Sequence, residues 1–240
     1  MFGTVSALVI FTLVLAGPTR LLRRDDIDAD EVVGFAQTVP DDTEGTLMLQ
    51  YQPYLYVVDG CVPFPAVDAE GDTSAGLAPT GSPDGDCSSS TGQVYSRAAT
   101  YNDAYAIMYS WYMPKDEPSE AESLLGIGHR YDWEGVVVWL SEESTDATLL
   151  GVAASYHGDY QTKTDPDTSG DHPLIKYYSE DDLLDHSCGF TDVVGGMQPL
   201  IAWDSMPTVA QEALADKDWG DANVPFIDAN FDTNLAEAEL

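Results

Sequence analysis

Residues Ala104–Met113 have the sequence AYAIMYSWYM, and Gly135–Leu140 have the sequence GVVVWL. The first segment is aromatic and apolar almost throughout, as expected of a strand that is buried on both faces. The second is β-branched and carries an aromatic residue, which favours a strand. Thr148–Tyr156 has similar character. All three lie within about 55 residues, joined by turn-bearing loops too short for repeated βαβ crossovers. They predict an antiparallel sheet or sandwich.

The N-terminal side of these strands is rich in turns. Proline and glycine interrupt residues 34–100 repeatedly, so only short strands fit there, for example at Thr46–Gln50 and Tyr54–Val58. The aromatic content of the whole chain, with 13 Tyr, 7 Phe and 5 Trp, also favours sheets.

The C-terminal side predicts two helices. Pro207 stands at a first helical position and is followed by apolar residues at helical spacing, so we expect a helix that ends near Gly220. A last short helix is expected at Asn234–Leu240. Between the central strands and these helices, the polar, Asp-rich segment Gln161–Asp171 predicts a surface loop.

The first residues are typical of an export signal. Val5–Gly17 is almost continuously apolar, with the length of a signal-peptide core. A retained membrane anchor is the alternative. Arg23-Arg24 then offers a dibasic site for removal of a pro-segment. We expect residues 1–33 to be signal peptide and short pro-segment, and residues 34–240 to form one domain of a secreted, extracellular protein.

The charge is strongly negative. Nine lysines and arginines face 42 aspartates and glutamates, for a formal net charge of -33. Nucleic acid is excluded as a partner, because phosphate backbones require cationic neutralisation. An anionic membrane would also repel the chain at long range unless salt or a metal ion screened the charge.

Three cysteines leave the pairing open. Cys61 and Cys87 lie in a Gly/Pro/Ser-rich stretch that a disulfide would stabilise in an oxidising compartment. Cys188 is then a buried apolar residue or a free thiol, and it could also exchange into that pair.

The sequence GHRYDWE, Gly128–Glu134, carries the candidate chemistry. If strand geometry begins here, Asp132 and Glu134 point to one face, because alternate residues do. His129 is close enough for a turn to bring it round, and Asp116 ends the preceding strand. Three carboxylates and one imidazole would then converge as a site for a hard cation such as Ca²⁺ or Mg²⁺. A solvated acidic rim is the alternative.

This heptapeptide closely resembles GHRHDWE, which marks the necrosis- and ethylene-inducing-like proteins. Further segments resemble that family in the same order from about residue 34 to residue 235. They include AIMYSWYMPKD at Ala106–Asp116, VVVWL at Val136–Leu140 and WGDANVPF at Trp219–Phe226.

The resemblance implies a mainly β, single-domain sandwich with flanking helices, similar to actinoporin cytolysins. It implies secretion, a Cys61–Cys87 disulfide, and a divalent cation, Ca²⁺ or Mg²⁺, at one pole. The matching site residues are Asp116, His129, Asp132 and Glu134. One further acidic residue from a later loop is not assigned.

The family binds glycosylinositol phosphorylceramide sphingolipids of plant plasma membranes and permeabilises them. A plant pattern-recognition receptor is a second expected partner, and a monomer is expected in solution. Trp203 is a candidate for lipid contact, with a core aromatic as the alternative.

Two departures from the family pattern affect the expected activity. Tyr131 replaces the second histidine of the heptapeptide, which adds a bulkier phenol at the site. The loop from Asp116 to His129 is long, and Glu117–Leu125 would add acidic residues at 117, 120 and 122 beside the cation. Both changes predict weaker lipid engagement, so a non-cytolytic relative is one alternative.

A metal-assisted hydrolase with Glu134 as general base is another. No GxSxG or HExxH motif supports catalysis, and we expect no enzymatic activity.

Overall fold

A computed structural model describes residues 24–119, 121, 127–180 and 185–240. In chain order its strands are β1 (Asp26–Ile27), β2 (Tyr54–Val57), β3 (Thr73–Ser74), β4 (Val94–Tyr101), β5 (Ala104–Asp116), β6 (His129–Leu140), β7 (Leu149–Tyr156), β8 (Asp159–Lys163), β9 (Thr168–Ser169), β10 (His172–Tyr178), β11 (Ser187–Phe190) and β12 (Leu200–Ala202). The helices are α1 (Thr43–Gln50), α2 (Thr208–Asp216) and α3 (Phe231–Glu237), with a 3-10 turn at Trp203–Ser205.

The larger sheet has six strands in the order β12-β4-β5-β6-β7-β8. Pairing is antiparallel from β4 to β8, and β12 lies parallel to β4. The three predicted central strands are therefore confirmed as β5, β6 and β7. Strand β5 is buried from Tyr105 to Asp116, because sheet neighbours cover its edges and other elements cover its faces.

The smaller sheet has β10 at its centre, with β11 antiparallel and β2 parallel to it, and with the short β9 also paired to β10. It packs against the larger sheet near β6. Buried Tyr177 of β10 donates its hydroxyl to Asp132 of β6. The predicted β-sandwich with flanking helices is thus confirmed.

Thr46–Gln50 lies in helix α1 and is not a strand. The Asp42 side chain accepts a hydrogen bond from Gly45 N at 3.1 Å and so caps the N-terminus of the helix. Such a cap satisfies a backbone N–H that the first turn of a helix leaves without a partner. Leu47 and Met48 of the helix are buried. Tyr109 of β5 donates its hydroxyl to the Met48 carbonyl oxygen, so the helix is fixed to the larger sheet. Tyr54–Val57 confirms the other short strand.

The C-terminal helices are confirmed with shifted bounds. Helix α2 starts at Thr208, with Pro207 as its N-cap. It ends at Asp216, because Lys217 adopts an extended conformation. Helix α3 starts at Phe231, before the expected Asn234. The loop predicted at Gln161–Asp171 is partly wrong, since the segment holds the end of β8 and all of β9.

The N-terminal segment packs on the domain. Strand β1 pairs in parallel with β3, and Ala29 and Val32 are buried. The side chain of Arg24 forms ion pairs with Glu212 and Asp216 of α2. The predicted export segment Val5–Gly17 lies outside the described residues. No helix in the described ranges is long and apolar enough to cross a bilayer.

The predicted disulfide joins Cys61 to Cys87. Cys188 is a buried free thiol. The alternative in which Cys188 enters the pair is therefore wrong.

Candidate metal centre

The antiparallel pairing of β5 and β6 brings the predicted site residues to one end of the larger sheet. In this register Asp116 lies opposite His129, and Met113 lies opposite Asp132. The two strands are therefore neighbours, as the sequence argument required. Asp132 and Glu134 both border one cavity, which is consistent with side chains that alternate along a strand.

Asp116, His129 and Asp132 each place one ligand atom within 4.8 Å of the others. His129 Nε2 lies 3.7 Å from Asp116 Oδ2. Glu134 stands beside this trio but is turned to other partners. Its Oε2 accepts hydrogen bonds from the Ser155 hydroxyl and, at 3.2 Å, from Cys188 N. The structure thus brings three of the four predicted ligands into one compact group.

Backbone and side-chain partners hold the three ligands in place. His129 Nδ1 lies 2.7 Å from the Tyr131 carbonyl oxygen. A carbonyl can only accept, so Nδ1 carries a proton, and in the neutral imidazole Nε2 then offers its lone pair to a cation. The Tyr177 hydroxyl donates to Asp132 Oδ2 at 2.7 Å. Each ligand oxygen retains lone pairs for further bonds.

A second layer of charged residues was not predicted. His186 bonds Asp116 twice, from its backbone N at 2.7 Å and through Nδ1 at 2.6 Å. Its Nε2 lies 2.9 Å from Asp59. Asp185, which lies 69 positions after Asp116 in the chain, has its carboxylate 4.0 Å from His129 Nε2. Their distance in sequence from GHRYDWE and the lack of a spacing pattern explain why the sequence did not reveal them.

Two carboxylates at the centre, those of Asp132 and Glu134, resist ionisation. Burial and then repulsion by Asp116 raise the pKa of Asp132 to about 7. Burial and then repulsion by Asp132 raise the pKa of Glu134 well above its ordinary range. Carboxylates crowded in this way are the arrangement that a bound divalent cation relieves.

The two imidazoles respond in the opposite sense. Burial alone would lower the pKa of His129, but the charges of Asp132 and Asp116 outweigh it and raise that pKa. Burial likewise opposes protonation of His186. Its hydrogen bonds to Asp116 and Asp59 nevertheless raise its pKa to about 10. His186 is therefore a cation at neutral pH that neutralises part of the acidic cluster.

The centre opens into a cavity of about 660 Å³. Besides the ligands, its wall includes His157, Tyr160 and the segment 221–223. The cavity is large enough to hold a sugar-sized polar ligand. The oxygen-rich donor set beside it suits Ca²⁺ or Mg²⁺.

Tyr131 does not enter the centre, so the expectation of a phenol there is wrong. Its ring lies 5.2 Å from the Trp219 ring and 6.5 Å from the Tyr112 ring. Those rings belong to an aromatic cluster that also includes Trp133, which alternates with Asp132 and Glu134 along β6 and so lies on the opposite face of the strand.

The remaining predicted residues lie elsewhere. Trp203 is 8% exposed and packs edge-on against Phe226, which matches the alternative of a core aromatic. Its role in lipid contact stays a prediction. Glu117 is buried, and residues 120 and 122 lie outside the described residues.

This two-sheet sandwich with an acidic centre at one pole is shared with solved toxin-fold proteins. The structure described as "Toxin fold as basis for microbial attack and plant defense" superposes with a TM-score of 0.83 at 45% identity, covering 90% of this chain and 100% of that chain. "NLPPya in complex with mannosamine" gives 0.82 at 45% identity and covers 89% and 99%. "Crystal structure of non-toxic HaNLP3 protein" gives 0.82 at 38% identity and covers 88% and 98%.

The sequence comparisons give the particular family. Residues 45–238 match the model for "Necrosis inducing protein (NPP1)". "NLP effector protein 1" of Phytophthora capsici is 48% identical over 217 residues, which are 88% of this chain and 90% of that protein. "Necrosis-inducing protein NPP1" of Phytophthora nicotianae is 41% identical over 234 residues, or 95% and 97%. The chain therefore belongs to the necrosis inducing protein (NPP1) family.

Proposed function

We propose that this chain is a secreted, cation-dependent cytolysin that binds the headgroup of glycosylinositol phosphorylceramide and permeabilises plant plasma membranes. The observation that carries the proposal is the group formed by buried Asp116 and Asp132 with partly exposed His129, which opens into a polar cavity within a toxin fold. We take the lytic unit as residues 34–240 together with the described N-terminal segment around β1, which pairs with β3 and packs on the domain, preceded by an export segment.

The described residues fit a hard divalent cation. Asp116 and Asp132 would supply carboxylate oxygens and His129 its Nε2 atom, while Glu134 would turn from Ser155 to join them. A bound Ca²⁺ or Mg²⁺ would supply positive charge for an anionic phosphoryl or sugar group. His186 keeps Asp116 oriented through two hydrogen bonds.

The charges of the protein support a cation as the contact with an anionic lipid. In the described part of the chain every lysine and arginine already has a partner within the protein. Arg24, Lys163 and Lys217 pair with carboxylates, Arg97 pairs with Asp228, Lys115 and Arg130 donate to carbonyl oxygens, and Lys176 lies over the Tyr178 ring. With a net charge of -33, the bare surface repels an anionic membrane.

The cavity supports a sugar-bearing headgroup. A similar protein has been solved with mannosamine and with glucosamine. Here the acidic wall beside the cation centre would take the terminal sugar, while the cation would contact the inositol phosphoryl group. We assign the chain no enzymatic activity and no nucleic acid partner. The similar proteins are named as effectors and toxins. We further propose a monomer in solution and recognition by a plant pattern-recognition receptor.

A non-lytic effector is the second candidate, because the fold is shared with a protein described as non-toxic. The test is cosedimentation with vesicles that contain plant glycosylinositol phosphorylceramide, with calcium or with a chelator. Wild type should sediment only with both lipid and cation, and Asp132→Ala should stay soluble. Lys163→Ala, which breaks the exposed ion pair to Asp167 away from the centre, is the matched control. Sedimentation of wild type in chelator would contradict the proposal.

A further inference from the structure

The backbone of Tyr131 has an unusual conformation that serves His129. Its φ angle is 71°, in the left-handed region that bulky residues rarely adopt. In this conformation its carbonyl oxygen accepts the Nδ1 proton of His129 at 2.7 Å. That hydrogen bond selects the tautomer and the ring orientation that present Nε2 to the acidic centre. Whatever holds Tyr131 in this conformation therefore also holds the candidate ligand.

The Tyr131 ring is held on the opposite face of β6. Trp219 contacts it edge-on at 5.2 Å, and Lys217 Nζ lies 4.9 Å from the ring centre. The backbone of Gly76 closes another side, because a Cβ there would come within 2.6 Å of the ring. A cation over an aromatic face is attractive, and the attraction grows when water is excluded.

Lys217 is itself fixed by the N-terminal strand. Its side chain is 8% exposed, and its Nζ lies 2.6 Å from Asp26 Oδ1. Asp26 belongs to β1 and also accepts a hydrogen bond from the Thr73 hydroxyl at 2.6 Å. The ammonium group thus stands between the Asp26 carboxylate and the rings of Tyr131 and Trp219. A continuous set of contacts runs from β1 to His129.

We infer that Lys217 is a positioning residue for the cation centre: held by Asp26 of β1, it fixes Tyr131, whose carbonyl orients His129. The inference rests on the proposed function, because it takes His129 as a ligand. Because Asp26 of β1 holds Lys217, the segment around β1 is then part of the functional unit.

The test measures cation binding and the His129 tautomer in full chains. Isothermal titration calorimetry with calcium chloride or magnesium chloride gives the cation affinity. Nitrogen NMR of histidine-labelled, cation-free protein at alkaline pH, where the imidazole is neutral, gives the tautomer, with His129→Asn used to assign the signal. Lys217→Met keeps the apolar stem and removes the charge, and Lys217→Arg restores it. Lys163→Met removes an ion-paired lysine outside this set of contacts and is the control.

Loss of a direct orienting partner costs about 10- to 100-fold in metal affinity. Lys217 acts one step further away, so Lys217→Met should weaken binding by roughly 3- to 10-fold. Its His129 signal should shift toward a mixture of tautomers. Lys217→Arg should recover most of the affinity, and Lys163→Met should match wild type.

Unchanged affinity and tautomer in a folded Lys217→Met protein would overturn the inference. If Lys217→Met does not fold, Asp26→Asn carries the same two readouts with Lys217 in place, and unchanged values there would overturn it equally. If wild type binds neither cation, the cation part of the proposed function fails. The tautomer of His129 in the variants still decides the positioning role.

Discussion

Replacing Asp132 with asparagine is predicted to stabilise the cation-free protein at alkaline pH and to remove its response to cations. The side chain is 4% exposed, and burial and the charge of Asp116 raise its pKa from 3.8 to about 7. A rise of about 3 pH units, at roughly 1.36 kcal/mol each, means that ionised Asp132 costs the fold about 4 kcal/mol. Asparagine can still accept the hydrogen bond from Tyr177, which lies 2.7 Å away.

Stability falls with rising pH if the folded protein binds the Asp132 proton more tightly than the unfolded chain does. The folded protein holds the Asp132 proton up to about pH 7, whereas the unfolded chain releases it near its ordinary value of about 4. Wild-type stability from this group is therefore fully present below about pH 4 and is lost as pH rises through about 7. The asparagine of the D132N variant does not titrate, so the variant has no such loss.

Urea denaturation in chelator, at about pH 4 and about pH 8, measures the effect. The stability of D132N relative to wild type should grow by up to about 4 kcal/mol between the two values. Calcium at about 100 times its dissociation constant should stabilise wild type by about 2.7 kcal/mol and leave D132N unchanged. The reasoning is refuted if D132N is the less stable protein at the higher pH in chelator, or if its relative stability is the same at both.

Three further outcomes are expected. Tyr131→His, which restores the family heptapeptide, should not tighten calcium binding in calorimetry, because this side chain faces Trp219 and Lys217; a tenfold gain would place the ring at the centre after all. His186→Gln should cost about 3 kcal/mol or more near neutral pH, as for other broken buried ion pairs. The pKa of His186 is raised to about 10 in the folded protein. The cost of the substitution should therefore be complete at pH values below the ordinary pKa of histidine and should shrink as pH rises through about 10. A cost that stays constant across pH-dependent denaturation would show that the charge of His186 is not involved. Reducing the disulfide, whose cysteines are 26 positions apart, should lower the free energy of unfolding by about 3.5 kcal/mol, and a change under about 1 kcal/mol would contradict the loop-closure argument.

Much of the sheet and part of the centre could be predicted, because local patterns determine them. The apolar run in β5 and the β-branched run in β6 specify buried strands, and their antiparallel register then brings Asp116 to His129. Alternation along β6 places Asp132 on the cavity side. These inferences need only neighbouring residues and the geometry of a strand.

The rest depends on contacts between distant segments. His186 reaches Asp116 across 70 positions of sequence, and no motif marks it. Helix α1 was missed because its cap and its burial against Tyr109 decide the conformation, whereas the apolar run Leu47–Leu49 is compatible with either state. Neither the direction of the Tyr131 ring, whose backbone leaves regular strand geometry at a φ of 71°, nor the Lys217 contact that holds it can be derived without the fold.

Dye leakage from vesicles tests the central claim most directly. The vesicles contain plant glycosylinositol phosphorylceramide, and release of calcein is followed with calcium and with chelator for wild type and Asp132→Ala. We predict leakage from wild type only when the cation and this lipid are both present, and none from the variant. Wild-type protein that is folded and cation-bound yet releases no dye would contradict the lytic function and favour the non-lytic effector.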